Sequence, residues 1–470
     1  MSRTREAQTA SLWDPKHRFL LIGVVCLVTV VALESTAIGT VMPVVEDDLG
    51  DLWLYGWVFS AFYLGTLIGV VVGGRAVDRV KPIGPMMIGV GLFVAGLVVG
   101  GLAPNMVVLV LGRLLQGLGA GVVPAVSYVC VGRGFPAEMR PKVFAVMSTA
   151  WVLPSLVSPL LALVVADAVG WRWVFLGLIP VTIVVALVGW APVATIETPE
   201  RAEGEDQAET PIGTVLLIAF GAALLLSGLS METLWVGLPL AGVGILVALP
   251  AFIRLTPPGT LAARPRLPAA VLIRGLLTFS FFSTDAFISL SVTSVRGEST
   301  TYAGVVLIAS SLTWSAGSWI QAKYGQRVGA NRLVFIGGSI LFVGALGLAF
   351  GLSSSVPLWI WIAASAVMGL GMGMSYTILS VVTLTEAEPG HEGEATSALQ
   401  LSDILGIALG SGIAGVMVTV CERAGTEVWV PFAGVFGLAA LLAALVAGFS
   451  PRLTRGRDQV DQAEARMSLR

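Results

Sequence analysis

Long apolar runs alternate along the chain with short segments rich in charge, proline and asparagine. A helix needs about 20 apolar residues to cross the roughly 30 Å hydrocarbon core of a bilayer. The polar punctuation cuts the sequence into fourteen runs that meet this length: 19–42, 55–76, 84–103, 106–131, 143–166, 173–194, 212–229, 234–253, 269–292, 302–322, 333–352, 357–384, 395–420 and 430–449. The first run is too long for a signal-peptide core, so it is expected to remain as a membrane helix. Two polar stretches, ETPERAEGEDQAE (197–209) and TPPGTLAARPRLP (256–268), set one pair of runs apart from six before and six after. The expected organisation is therefore an N-terminal six-helix bundle (1–194), an acidic cytoplasmic linker (195–211), two inserted helices (212–253), a second cytoplasmic linker (254–268), a C-terminal six-helix bundle (269–449) and a cytoplasmic tail (450–470). The fold class is all-α integral membrane protein.

Charge supports both the count and an orientation. With the N-terminus inside, twenty-three basic residues fall in inner segments or helix ends, Arg274 among them, and only Arg172, Arg296 and Arg423 fall outside. That asymmetry follows the positive-inside rule, and one missed or invented helix would invert every later loop. Arg113 alone is assigned to the interior of a span. Charged residues make up 12% of the 470 positions, against about 25% in soluble domains, which excludes an ordinary cytosolic enzyme. A net charge of −2 leaves no electrostatic case for nucleic acid. The three cysteines form neither a disulfide framework nor a metal spacing, and both histidines, His17 and His391, lie in polar segments. No metal or cofactor is expected, and no loop exceeds about twenty residues, which leaves no room for a catalytic or sensory domain.

Six-helix halves in one chain signal a transporter built by duplication. The halves share features at matching places: Glu34 and Asp285 stand about two-thirds along the first and ninth spans, and Gly117, Gly119 and Gly121 in the fourth span match Gly369, Gly371 and Gly373 in the twelfth. Small residues at such spacings let helices approach closely, so packing alone also accounts for the glycines.

Four motifs carry a family resemblance. GGRAVDRVKPIGP (73–85) and LVLGRLLQGLGAG (109–121) resemble the signature loop and fourth-helix motif of the major facilitator superfamily, with Gly74, Asp78 and Arg79 in the first and Arg113, Gln116, Gly117 and Gly119 in the second. LESTAIGTVMP (33–43) and GWRWVFLGLIP (170–180) are similar to strings of the fourteen-helix drug/proton antiporter branch, with Glu34 where an aspartate is more usual. The resemblance implies two six-helix bundles plus two central helices, alternating access, and proton-coupled efflux of amphipathic small molecules with the proton gradient as energy source. The fifth span, WVLPSLVSPLLA (151–162), keeps Pro154 and Pro159 but has Ser158, Leu161 and Ala162 where that branch carries glycines. A proton symporter, importer or facilitator therefore stands as the alternative, with a non-transporting membrane sensor behind it.

A charge near the bilayer centre costs roughly 2.5–3.5 kcal/mol, so each one needs a reason. Glu34 is expected to bind and release a proton in competition with a cationic or neutral substrate, against the plainer reading of a structural hydrogen bond. Arg113 is expected to bias Glu34 towards its charged form and Gln116 to orient it, the alternative being a static ion pair. Asp285 is expected to act as a second proton or cation site, although Ser283, Thr284 and Ser289 would also solvate a structural carboxylate. Asp403, in LQLSDILG, is expected to be a structural or gate residue near the inner end. Gly74, Asp78 and Arg79 are the expected conformational gate, by the resemblance, against ordinary inner-side flanking. Trp151 and Trp314, mid-helix where most of the thirteen tryptophans lie near span ends, are candidates for an aromatic cavity wall, and Tyr376, Gln400, Gln116 and Asp403 complete the substrate-cavity candidates. The expected partners are a small-molecule substrate, protons and the lipid bilayer of the cell membrane, with the chain acting as a monomer.

Overall fold

A computed structural model describes residues 14–136, 152–196, 212–388 and 392–453, with single positions between 137 and 151. Every described element is a helix. In chain order they are α1 (Pro15–Leu49), α2 (Tyr55–Arg79), α3 (Ile83–Gly101), α4 (Met106–Gly134), α5 (Val152–Val169), α6 (Arg172–Ala194), α7 (Ile212–Leu229) and α8 (Leu234–Leu255), then α9 (Leu267–Arg296), α10 (Thr300–Val328), α11 (Ala330–Gly351), α12 (Trp359–Glu386), α13 (Glu392–Arg423) and α14 (Trp429–Phe449). Thirteen are long and apolar enough to cross a membrane, and the fifth expected span is described only over Val152–Val169.

Several helices outrun their apolar cores. α1 contains 35 residues, about 52 Å at 1.5 Å each, so it extends well beyond the hydrocarbon. It passes through Pro43 and on through Glu46, Asp47 and Asp48, where charge had marked its end. One proline removes a single backbone bond, and the acidic turn beyond it needs only water. α6 breaks at Gly177 into Arg172–Leu176 and Leu178–Ala194. α9 begins with Pro268 in its first turn, where proline's missing N–H costs nothing.

The chain divides into two compact units, Met1–Val41 with Gly65–Ile212, and Met42–Leu64 with Gly213–Arg470. In the first, α4 is the close-packed centre. Gly121 abuts the backbone of Thr66 and Val70 on α2, Gly117 lies against Gly65 of α2, and Gly119 abuts Gly89 and Phe93 on α3. In the second unit α12 repeats the scheme: Gly369 and Gly373 abut Ser310 and Trp314 on α10, and Gly371 abuts Gly337 and Leu341 on α11. A Cβ at Gly371 would stand 2.5 Å from the Gly337 carbonyl oxygen, closer than any side chain tolerates. The glycines thus serve packing, and the packing itself is what repeats.

The inserted pair belongs to the second unit. Gly221 and Gly228 of α7 meet Gly244, Ala248 and Ala241 of α8 backbone to backbone, and Leu226 of α7 lies against Gly412 of α13. The far face of α8 is strongly apolar and open, with Trp235 90% and Leu246 73% exposed. Such a surface is suited to lipid.

Candidate functional site

Among the described residues, the first unit buries a charge cluster. Glu34 on α1 and Arg113 on α4 form an ion pair, and both are almost fully buried. Arg113 Nη1 also donates to Gln116 Oε1 at 3.0 Å, one turn along α4. The i, i+3 spacing sets these two side chains on one helix face, as the fourth-helix motif implied. Glu34 Oε2 and Gln116 Nε2 are buried and have no hydrogen-bond partner among the described residues. The carboxylate therefore keeps one oxygen with lone pairs available to a proton while the other is held by the guanidinium. Beside it, the hydroxyl of Ser158 on α5 donates to the Leu33 carbonyl at 2.5 Å. The serine that stands in place of an expected glycine thus fastens α5 to the turn of α1 that carries Glu34.

The second unit holds a cluster that the basic-residue pattern concealed. Arg274 was assigned to the inner flank, but it lies two turns inside α9 and is 5% exposed. Its Nε and Nη2 donate to the two oxygens of Asp403 on α13 at 2.9 and 3.4 Å. Its Nη1 donates to the Tyr376 carbonyl of α12 at 2.5 Å, and the guanidinium carbon sits 3.1 Å from the centre of the Tyr376 ring. Tyr376 OH donates back to Asp403 Oδ2 at 2.9 Å. Three helices are tied at one level, and each charge has a compensating partner, as burial in low dielectric demands. Arg274 is the residue missed from sequence. Its apolar neighbours in AVLIRGLLTF, two turns past the helix start, were the available signal.

Trp314 of α10 packs edge-on against this cluster, 5.4 Å from Tyr376, 5.2 Å from Phe281 and 6.2 Å from Phe282. It is half-buried, as are Tyr376 and Gln400. Asp403 and Tyr376 are therefore brought together with Trp314, while Gln400 makes no hydrogen bond with them among the described residues. Trp151 lies outside the described residues.

Asp285 is half-buried mid-way along α9 with no ion pair or hydrogen bond to a described residue. Alignment of the two glycine triplets sets Ser365 of α12 at the place of Arg113 and Met368 at that of Gln116. The α9–α12 contact there is Thr284 Oγ1 to Met368 Sδ at 3.7 Å, and Ser365 turns its hydroxyl to the Val306 carbonyl of α10 at 2.8 Å. The carboxylate recurs in the second unit without its arginine.

Of the expected gate, Gly74 has open space around its Cα, whereas Gly73 is the one pressed against Val122 of α4. Arg79 is exposed in the last turn of α2, and the side chain of Asp78 lies outside the described residues. Arg133, at the end of α4, donates to the Val77 carbonyl at 3.3 Å and ties the two helix ends together.

Membrane-length helices in two units, a repeated helix-packing scheme and carboxylates buried beside arginines define a polytopic membrane transporter. The chain belongs to the Major Facilitator Superfamily, whose family model matches residues 24–411 and 270–467. It is 25% identical over 419 residues to the multidrug efflux pump SdrM of Staphylococcus aureus, spanning 86% of this chain and 90% of that one. It is 24% identical over 422 residues to multidrug resistance protein 3 of Bacillus subtilis, spanning 87% and 81%. Among solved structures, the POT family transporter PepTSo superposes with a TM-score of 0.68 at 16% identity over 94% of this chain and 99% of that one, which extends the agreement to the fold. Members of this family are transporters and not enzymes.

Proposed function

We propose that this chain exports amphipathic small molecules in exchange for protons, by alternating access, from the cell membrane in which both termini face the cytoplasm. The buried Glu34 carboxylate carries the reading, with one oxygen on Arg113 and the other without a partner. Arg113 lets the carboxylate remain charged in a desolvated place, and a proton arriving at Oε2 would neutralise the glutamate and loosen the pair. Gln116 limits where the guanidinium can go. Proton uptake at Glu34 and substrate release are then linked steps of one cycle, which is the coupling antiport requires. The similarity to multidrug efflux pumps over most of the chain supports export as the direction.

Proteoliposomes holding the purified chain, with ethidium as probe, test it. An imposed pH difference should drive ethidium against its own gradient, and a protonophore should abolish the movement. Equilibration of ethidium without accumulation, at a rate indifferent to the pH difference, would identify a facilitator instead.

A further inference from the structure

Among the described residues, pairing of the charges inside the spans leaves one carboxylate over. Glu34 is matched by Arg113 and Asp403 by Arg274. Asp285, at comparable depth along its helix, has no base among the described residues, and Ser365, at the position equivalent to Arg113, points its hydroxyl elsewhere. A carboxylate in a membrane span without a counter-charge is costly, and a cation bound beside it removes that cost. Asp285 is also only partly buried, whereas Glu34 is 2% exposed.

Its surroundings fit an organic cation. Phe281 and Phe282 stand one turn before Asp285 on the same face of α9, and both meet Trp314 edge-on. Phe282 and Trp314 are half-buried, and Tyr63 lies 6.2 Å from Phe282. One turn after Asp285, Ser289 is fully buried and its hydroxyl has no partner among the described residues. Aromatic faces attract cations within about 6 Å, most strongly where water is excluded. The guanidinium on Tyr376 shows the same aromatic cluster already holding one cation. The Arg274–Asp403 pair fixes that ring, and through it Trp314.

Resting on the reading of the chain as an exporter, we propose that Asp285 is the residue that recognises substrate charge, and that it selects lipophilic organic cations whose aromatic parts lie along Phe282 and Trp314. Glu34 handles the proton and Asp285 the cargo. The two carboxylates at matching places have divided the work because only one kept an arginine.

Equilibrium binding to the purified chain in detergent tests this, with tetraphenylphosphonium as the cation and triphenylphosphine oxide as a neutral probe of similar shape. The wild type should prefer the cation. Asp285→Asn should weaken cation binding by about tenfold or more and leave the neutral probe within about twofold, while Asp285→Glu restores the preference. Equal binding of both probes by the wild type overturns the proposal. So does unchanged cation binding in Asp285→Asn, or an equal loss of both probes, which marks a structural role. Binding needs no pH gradient, so a chain that binds the cation through Asp285 but fails to move ethidium with protons keeps this inference and loses the export reading.

Discussion

The two units solve one problem in different ways. The first carries its acid on α1 and the base on α4, and the pair leaves a carboxylate oxygen without a partner. The second unit has moved its base to α9 itself, where Arg274 uses both oxygens of Asp403 and Tyr376 reinforces one of them. A half-satisfied carboxylate is ready to change its protonation, whereas a fully satisfied one holds helices in place. The glycine scheme of α4 and α12 is the same in both units, so the scaffold was kept while the chemistry diverged.

The comparison can be broken at several places, in falling order of effect. Arg113→Ala should remove pH-driven ethidium movement in proteoliposomes, because Glu34 is left buried without its counter-charge. Full transport at normal expression would make the pair a mere helix tie. Arg274→Ala should instead act on stability, costing about 3 kcal/mol by stranding Asp403. Combining Arg274→Met with Asp403→Leu should recover most of the unfolding temperature, since a buried pair replaced by apolar groups of similar volume is often neutral. A double variant as unstable as the single one would mean that the cluster does more than hold helices. Gly119→Val and Gly371→Val should lower the unfolding temperature by similar amounts, each by roughly 2 kcal/mol of overpacking, and a clear difference between them would contradict the repeated packing. Trp314→Ala should have the smallest effect on folding. It should raise the KM for ethidium about threefold to tenfold with maximal rate little changed, as loss of one cation–aromatic contact predicts.

Much of this was legible in the sequence because a membrane imposes coarse rules. Apolar run length and the placement of lysine and arginine recovered the helices, and the fourth-helix motif led to Arg113 and Gln116 beside Glu34. Glu34 itself was conspicuous as a charge on an apolar helix. What was not legible depends on facing and on side-chain partners. Arg274 followed Arg264 and Arg266 closely enough to read as the inner end of a span expected from residue 269, and only its partners on α12 and α13 show it to be part of the packed interior. The matched carboxylates Glu34 and Asp285 suggested matched roles. Aligning the glycine triplets would have set Ser365 opposite Arg113, but nothing in the sequence said that this register was also the packing register. The ends of α1 were missed because a helix can continue into water past the acidic residues that end an apolar run.

Glu34 as the proton carrier is tested most directly by one preparation of Glu34→Gln in proteoliposomes, with ethidium-for-ethidium exchange measured against accumulation driven by an imposed pH difference. Glutamine keeps the shape and one acceptor oxygen for Arg113 but takes up no proton. The expected result is exchange close to wild type with pH-driven accumulation lost. Accumulation that persists at the wild-type level under the pH difference would contradict the account and move proton coupling to another residue.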